Sequence, residues 1–212
     1  MRGNIASAVL FSAGLLVALQ PVAVAAEGQM LQGKDLVDAL RRGGYVVYLR
    51  HATTNADQVD ADSPDFKRCE TQRNLSDEGR RMAREIGSAF RSLGIPVGLI
   101  MSSPYCRTVQ TAELAFGRHA ISPILYFAMG IAKDERANQS ATLRQMLSTP
   151  PSGATNTVLV GHNANIKEAT GIWPKREGDA HVFRPGPTGF VHVGEVTAED
   201  WTRWAHGAAA AR

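Results

Sequence analysis

Arginine and histidine side chains follow three predicted strands, at the point where each strand ends. Arg50 and His51 come directly after a run of β-branched and aromatic residues. Arg107 follows the next strand after a short loop, and His162 follows a third strand. Because ligands bind beyond the carboxyl ends of the strands in open α/β sheets, we expect two guanidiniums and two imidazoles to meet at one edge of a sheet.

This combination of side chains fits the chemistry of phosphoryl groups. Two guanidiniums can bind phosphoryl oxygens in bidentate fashion. A neutral imidazole is a nucleophile toward phosphorus, and a second, protonated imidazole stabilises charge on the phosphoryl oxygens. A metal site would need cysteine or carboxylate ligands beside the histidines, and neighbouring arginines repel a divalent cation. The pattern therefore predicts phosphoryl transfer with no metal and no cofactor.

Alternating strands and helices are predicted to position these residues. A short helix over residues 36–40 ends at Gly43-Gly44, and residues 45–49 form a buried strand. Ser76 caps an amphipathic helix that reaches about residue 93. The later elements are strands at 97–101, 157–160, 182–183 and 190–193, and helices at 104–116, 143–147, 164–170 and 200–204, with a loop-rich stretch at 117–138.

This order of elements predicts the fold class. Strand and helix alternation favours an α/β protein with a parallel sheet covered on both faces. No linker-like tract or internal repeat divides the chain. We predict a single-domain, three-layer sandwich with a mostly parallel central sheet flanked by helices.

Composition and charge narrow the classes of function. Of the 212 residues, 44% are hydrophobic and 20% are charged, and the net charge is +3. This is an ordinary globular composition with no dense basic stripe, so we expect no nucleic-acid partner. One apolar stretch, at 5–19, approaches the length of a membrane span but is shorter than the roughly 20 residues that a span needs. A polytopic membrane protein is excluded.

The amino terminus has the pattern of a signal peptide. Arg2 gives a positive start, residues 5–19 are apolar, and small residues follow up to Ala25 and Ala26. We predict a signal peptide over residues 1–26 and a mature domain over 27–212; an uncleaved anchor is the alternative. Cleavage would give a periplasmic or secreted protein with no stable membrane insertion.

Export bears on the two cysteines, Cys69 and Cys106. An oxidising compartment would permit a disulfide between them. Such a bond would stabilise the folded chain by about 4 kcal/mol through the loop that it closes. Two separate thiols are the alternative. A zinc site is not expected from two cysteines so far apart.

Several motifs resemble the signatures of the histidine phosphatase superfamily, also called phosphoglycerate-mutase-like. They are LRHA at 49–52, QRNLSDEG at 72–79, SSPYCRTVQTAE at 102–113 and VGHN at 160–163. The resemblance implies that His51 is the phosphorylated nucleophile, that Arg50 and Arg107 bind phosphate, and that His162 stabilises the transferring phosphoryl group. It is similar to the periplasmic branch that includes lipopolysaccharide core heptose phosphate phosphatases, which implies an envelope sugar phosphate as substrate.

The segment after the nucleophile departs from the family pattern. The family often has Gly and then Glu or Gln where this chain has Ala52 and Thr53. Thr54 keeps a hydroxyl group in this segment, and Asn55 lies close to the position of a family asparagine. We expect Thr54 and Asn55 to contact the substrate.

The proton donor for the leaving group is expected among three carboxylates. Family members with a carboxylate in the variable loop after the Arg107 helix favour Glu135 by analogy. Asp134 and Glu177 are the other candidates. Each is needed within hydrogen-bonding reach of the leaving oxygen, because an alkoxide leaves only with a proton.

These observations together predict an exported phosphomonoesterase with a phosphohistidine intermediate, acting on a small-molecule or glycan phosphate. A catalytically inactive phospholigand-binding protein that keeps the pocket of two arginines and two histidines is the alternative. Export disfavours a phosphohistidine protein phosphatase, whose usual substrates lie in the cytosol, and it also disfavours a glycolytic mutase.

Overall fold

The structure is a computed structural model that describes residues 30–210. Residues 1–29 and 211–212 lie outside the described part, and so does the predicted signal peptide over 1–26 with its boundary at 27. For residues 209 and 210 the backbone alone is described. Within residues 30–210, no helix is both long enough and apolar enough to cross a membrane.

Six strands form one sheet in the order β3-β2-β4-β1-β5-β6. The pairs β3-β2, β2-β4 and β4-β1 are parallel, whereas β1-β5 and β5-β6 are antiparallel. The predicted α/β class with a mostly parallel sheet is confirmed. The strands are β1 (Val46–Arg50), β2 (Val97–Ser102), β3 (Ala120–Ile121), β4 (Asn156–Gly161), β5 (Ala180–Gly186) and β6 (Gly189–Val196).

The helices cover both faces of the sheet. Side chains of β1 alternate between the two faces, so that Val47 packs with one core cluster and Tyr48 with the other. The first cluster includes residues of α1, α2, α3 and α6, and the second includes residues of α4 and α5. The helices are α1 (Gly33–Arg42), α2 (Asp77–Ser92), α3 (Cys106–Phe116), α4 (Lys133–Ser148), α5 (Asn163–Thr170) and α6 (Ala198–Ala210).

Local sequence explains where two of these helices begin or end. The Ser76 side chain accepts a hydrogen bond from the backbone nitrogen of Gly79 and caps α2 as predicted. Gly43 follows α1 with φ of 75°, a conformation that glycine adopts without strain.

Several helix boundaries differ from the prediction, and the starts of α3 and α4 bear on the site. α3 begins at Cys106 rather than at Pro104, with Tyr105 in the extended N-cap position. α4 begins at Lys133, inside the stretch that was predicted to be loop. Its first two turns are mostly polar and solvent-exposed, so no apolar periodicity marks them. Short 3₁₀ turns occupy Pro123–Leu125 and Ala128–Gly130 of the same stretch.

Candidate active site

The two histidines lie together because β1 and β4 end at the same level. The parallel register pairs Arg50 with Gly161, so His51 and His162 each follow the last residue of a strand. The backbone nitrogen of His51 donates a hydrogen bond to the Gly161 oxygen at 3.1 Å. The two imidazole ring centroids are 5.5 Å apart. The predicted meeting of the histidines is therefore what the sheet register produces.

The Tyr48 side chain fixes the backbone at His162. Its hydroxyl donates to the His162 carbonyl oxygen at 2.8 Å and accepts from the His162 nitrogen at 3.0 Å. This approach requires a glycine at position 161, because an added Cβ would lie 2.2 Å from the Tyr48 hydroxyl. The motif glycine is thus explained by the close contact that orients the second histidine.

A backbone contact holds the His51 ring in one tautomer. Its Nδ1 lies 3.0 Å from the Ala52 carbonyl oxygen, an acceptor, so Nδ1 carries the proton and Nε2 keeps its lone pair. The side chain is almost fully buried. Burial lowers the pKa of His51 well below its usual range, and the charge of Arg107 lowers it further. The ring is therefore neutral and nucleophilic at neutral pH.

One ring nitrogen of His162 has a hydrogen-bond partner, and the other has none in the described residues. Its Nε2 lies 2.9 Å from the Ser103 hydroxyl oxygen, and its buried Nδ1 has no hydrogen-bond partner within residues 30–210. With the Ser103 hydroxyl donating to Nε2, Nδ1 carries the proton and can donate to a ligand. Burial, followed by the charge of Arg107, lowers the pKa of His162 well below its usual range.

Two contacts hold the buried Arg107 side chain. Its Nη1 donates to Asp60 Oδ1 at 2.8 Å, and the guanidinium carbon lies 4.3 Å from the Tyr105 ring centroid. Arg50 is held through Nη1, which donates to the Pro174 carbonyl oxygen at 3.3 Å. In the described part of the chain, the Nε atoms of Arg107 and Arg50 are buried with no partner.

Three buried polar atoms around His51 thus lack a partner among residues 30–210: Arg50 Nε, Arg107 Nε and His162 Nδ1. A buried donor left unpaired costs about 1–3 kcal/mol, so such groups in a native protein call for an explanation. All three can donate hydrogen bonds, and two belong to cations. The explanation that fits is a site for an oxygen-rich anion. No group of three or more His, Cys, Asp or Glu suited to a metal ion occurs in the described residues.

Arg73 is a third guanidinium at the site, and the sequence reasoning did not assign it a role. Its backbone nitrogen donates to Asp60 Oδ1 at 2.9 Å, and its carbonyl oxygen accepts from Arg107 Nη1 at 3.3 Å. After burial and Arg107, Arg73 is among the charges that lower the pKa of both histidines. Its side chain is 34% exposed, against 2% for Arg107, and therefore lies at the mouth of the site. In the sequence, the signal that could have pointed to Arg73 was the QRNLSDEG motif at 72–79, which contains this residue.

Glu177 brings a carboxylate to the cluster. Its Oε1 lies 3.9 Å from His51 Nδ1, 3.6 Å from Arg50 Nη2 and 3.7 Å from Arg73 Nη2. Both of its oxygens accept hydrogen bonds from Thr54, from the backbone nitrogen at 2.9 Å and from the hydroxyl at 2.8 Å. Among the residues described, it is the carboxylate that lies within 4 Å of a His51 nitrogen.

The prediction of Glu135 as first-choice proton donor is therefore corrected. Glu135 and Asp134 lie in the first turn of α4 and are exposed to solvent. Glu135 borders a surface depression with Tyr126 and Gln139 rather than the histidine cluster. The stretch that was predicted to be loop is already helical at these residues.

The predicted substrate contacts of Thr54 and Asn55 stay predictions, and the structure shows which groups of the protein each residue contacts. The Thr54 hydroxyl and backbone nitrogen are both used by Glu177, so Thr54 positions the carboxylate. The Asn55 amide nitrogen lies 3.5 Å from the Leu75 carbonyl oxygen, and the Asn55 backbone nitrogen donates to Asn74. Asn55 thus supports the loop before α2.

Cys69 and Cys106 form a disulfide, with their Cα atoms 5.7 Å apart. The bond joins the loop that precedes α2 to the first residue of α3, next to Arg107. The same contact includes a hydrogen bond from the Cys106 nitrogen to Gln72 Oε1 at 2.8 Å. Of the two alternatives left open by the sequence, the structure has the paired cysteines.

Comparisons with known proteins agree with this fold. Residues 46–126 match the family described as Histidine phosphatase superfamily (branch 1), a range that includes Arg50, His51, Arg73 and Arg107. A search of curated proteins found no match. The chain has the phosphoglycerate-mutase-like α/β fold.

Solved structures show the same fold at low sequence identity. The protein histidine phosphatase SixA, complexed with tungstate, is similar with a TM-score of 0.53 at 13% identity, over 74% of this chain and 98% of that chain. A phosphoserine phosphatase mutant from Entamoeba histolytica with phosphoserine gives 0.52 at 12% identity, over 74% and 98%. An Escherichia coli protein provisionally named an alpha-ribazole-5′-P phosphatase gives 0.53 at 12% identity, over 71% and 95%.

Proposed function

We propose that this protein is an exported phosphomonoesterase that works through a phosphohistidine at His51, with an envelope sugar phosphate as its substrate. The observation that carries the proposal is a set of three buried atoms, Arg50 Nε, Arg107 Nε and His162 Nδ1, around a neutral imidazole. None of the three has a hydrogen-bond partner in the part of the chain that the structure describes. Such a pocket binds a phosphoryl group and presents a nucleophile to its phosphorus.

In the first step, the lone pair of His51 Nε2 attacks phosphorus and the bond from phosphorus to the leaving oxygen breaks. The Nδ1 hydrogen bond to Ala52 holds the ring in the required tautomer. Guanidiniums of Arg50 and Arg107, with His162 Nδ1, take up the charge on the phosphoryl oxygens. The Glu177 carboxyl group gives its proton to the leaving oxygen, and the alcohol departs.

In the second step, water attacks the phosphorus of phospho-His51. The Glu177 carboxylate takes a proton from this water, the bond between phosphorus and nitrogen breaks, and its electron pair returns to His51 Nε2. Inorganic phosphate is released, and both His51 and Glu177 are restored. The same carboxylate thus serves as acid and then as base.

The charges at the site support chemistry without a metal ion. Three guanidiniums, of Arg50, Arg73 and Arg107, lie about the histidines and repel a divalent cation. Glu177 is already shared between two of them and His51. The arginines supply the positive charge that a metal ion supplies in other phosphatases.

Two further observations support export and the sugar substrate. The amino-terminal pattern of Arg2 and residues 5–26 favours export, and the disulfide is of the kind that oxidising compartments preserve. The sugar phosphate rests on the resemblance to lipopolysaccharide core heptose phosphate phosphatases.

The test is release of inorganic phosphate from 4-nitrophenyl phosphate by the purified protein, with chelator present, compared with His51→Ala. We expect chelator-resistant activity that His51→Ala abolishes. His119→Ala is the matched control, because Arg118-His119 is a second Arg-His pair of the chain outside the site. Equal activity in the wild type and His51→Ala would reject the nucleophile. Phosphate binding with no turnover of any ester would support the phospholigand-binding alternative instead.

A further inference from the structure

Four aromatic rings pack in a continuous row beside the histidine cluster: Phe66, Tyr105, Tyr126 and Phe127, together called the aromatic wall. The Phe66 ring centroid is 5.1 Å from that of Tyr105 and 5.3 Å from that of Tyr126. Tyr105 lies 5.4 Å from Tyr126 and 6.4 Å from Phe127. Edge-to-face packing at such distances is the favoured arrangement of aromatic side chains.

The inner end of the aromatic wall contacts the histidine cluster. The Tyr105 ring centroid is 5.0 Å from that of His162, and the same ring lies under the Arg107 guanidinium. Phe127 lies 5.2 Å from His162 on the same measure. A phosphoryl group held by Arg107 and His162 is therefore next to the wall.

The outer end of the wall is open to solvent. The Phe66 residue is 36% exposed, and Tyr126 and Phe127 are partly exposed, whereas Tyr105 is buried. Phe66 is carried by the loop before α2, and the disulfide at Cys69 holds this loop against the start of α3. The structure thus maintains an apolar surface that runs from the reacting group to the outside.

Charge is distributed unevenly around the site. Arg50, Arg73 and Glu177 interact with one another beside His51. The wall itself consists of uncharged aromatic side chains. Phosphoryl oxygens belong with the guanidiniums and the leaving oxygen with Glu177, so the wall is left for the carbon skeleton of the alcohol. An aromatic surface favours an alcohol that carries a ring, since contact between rigid rings buries apolar area with little loss of conformational entropy.

We propose that the aromatic wall selects phosphomonoesters whose alcohol carries a six-membered ring, in preference to short acyclic esters. The inference rests on the proposed phosphatase function and adds the class of leaving group. The shared chemistry is a flat, partly apolar ring face, which both a phenyl group and a pyranose provide.

The experiment compares kcat/KM for three primary alkyl phosphates of similar intrinsic reactivity: benzyl phosphate, glucose 6-phosphate and glycerol 1-phosphate. We expect one or both ring substrates to exceed glycerol 1-phosphate. Phe66→Ala should lower kcat/KM for the preferred ring substrate about three- to tenfold, the value of one aromatic contact, and leave glycerol 1-phosphate unchanged. Preference for benzyl phosphate identifies an aryl substrate, and preference for glucose 6-phosphate identifies a sugar.

The control is Leu99→Ala. Leu99 lies on β2, outside the wall, and is 46% exposed, so this variant also removes an exposed apolar side chain. It should change none of the three rates. Equal kcat/KM for all three esters, or equal effects of Phe66→Ala on each, would overturn the proposal. Acetyl phosphate, which is small, ringless and activated, separates this result from failure of the phosphatase itself. Turnover of acetyl phosphate requires His51 but not Phe66, and the absence of this turnover would reject the proposed function.

Discussion

At the scale of single residues, the account depends on an imidazole that stays neutral among cations. Burial lowers the pKa of His51 well below its usual value, and Arg107 and Arg50 add to this effect. In the substrate-free protein, the His51 ring should therefore remain unprotonated as the pH falls through 6.5, the ordinary pKa of histidine. We predict that long-range ¹H–¹⁵N spectra, assigned with His51→Ala, show a neutral His51 ring at pH 5.5. A ring that titrates near pH 6.5 would contradict the stated cause.

The contribution of Glu177 to the rate should increase with the pKa of the leaving alcohol. We predict that Glu177→Gln lowers kcat for an alkyl phosphate by about 10²- to 10⁴-fold, the usual contribution of general acid-base catalysis. The loss of activity on 4-nitrophenyl phosphate in the first step should be much smaller, because its leaving group departs without a proton. Glu135→Gln is the matched control and should retain full activity. Equal losses on both substrates of kcat/KM, which reports only the steps up to departure of the alcohol, would assign Glu177 a role in binding or folding.

Residue-level prediction from the sequence succeeded where a strand end fixed the position. Arg50, His51 and His162 each lie at or next to the end of β1 or β4, so the register alone brings them together. Glu177 lies in a loop between α5 and β5, and its place depends on two hydrogen bonds from Thr54. Such tertiary contacts leave no periodic signal in the sequence.

At the scale of elements, the disulfide fastens the loop before α2 to the start of α3. It closes a segment with a sequence separation of 37, for which chain entropy gives about 4 kcal/mol of stabilisation. We predict that Cys69→Ser combined with Cys106→Ser lowers the free energy of unfolding in urea by about this amount. Reduction of the wild-type disulfide should give the same loss. An unchanged unfolding midpoint in either experiment would show that other contacts hold the loop.

The start of α4 shows what element prediction lacked. Asp134 and Glu135 lie in its first turn, and most of its first eight residues are exposed, so nothing alternates between buried and exposed positions. Periodicity detects a helix by its buried face, which in α4 begins at Gln139 and continues at Leu143 and Leu147. The proton-donor assignment to Glu135 failed for this reason.

At the scale of the whole molecule, buried neutral histidines link stability to pH. Burial and His192 lower the pKa of His181 to about 4, and the pKa values of His51 and His162 are lowered as well. Above pH 6.5 both folded and unfolded chains hold these rings neutral. As the pH falls below 6.5, the unfolded chain binds protons that the folded chain excludes, so the free energy of unfolding decreases.

His181 alone should cost about 2 kcal/mol of stability between pH 7 and pH 5. We predict that urea unfolding shows at least this decrease, and that His181→Gln reduces the pH dependence by about the same amount. His206→Gln, a change in the terminal helix, should leave it unaffected. Stability that stays constant or rises toward pH 5 would contradict the buried neutral state of these histidines.

The central claim is that His51 becomes covalently phosphorylated, and the most direct measurement is to trap that species. The protein is mixed with excess substrate and quenched in alkali, where phosphohistidine survives, and its peptides are analysed by mass spectrometry. The account predicts one phosphoryl group on His51, absent from His51→Ala and retained in His119→Ala. Substrate turnover with no phosphoryl group on His51, or with phosphate on another residue, would contradict it.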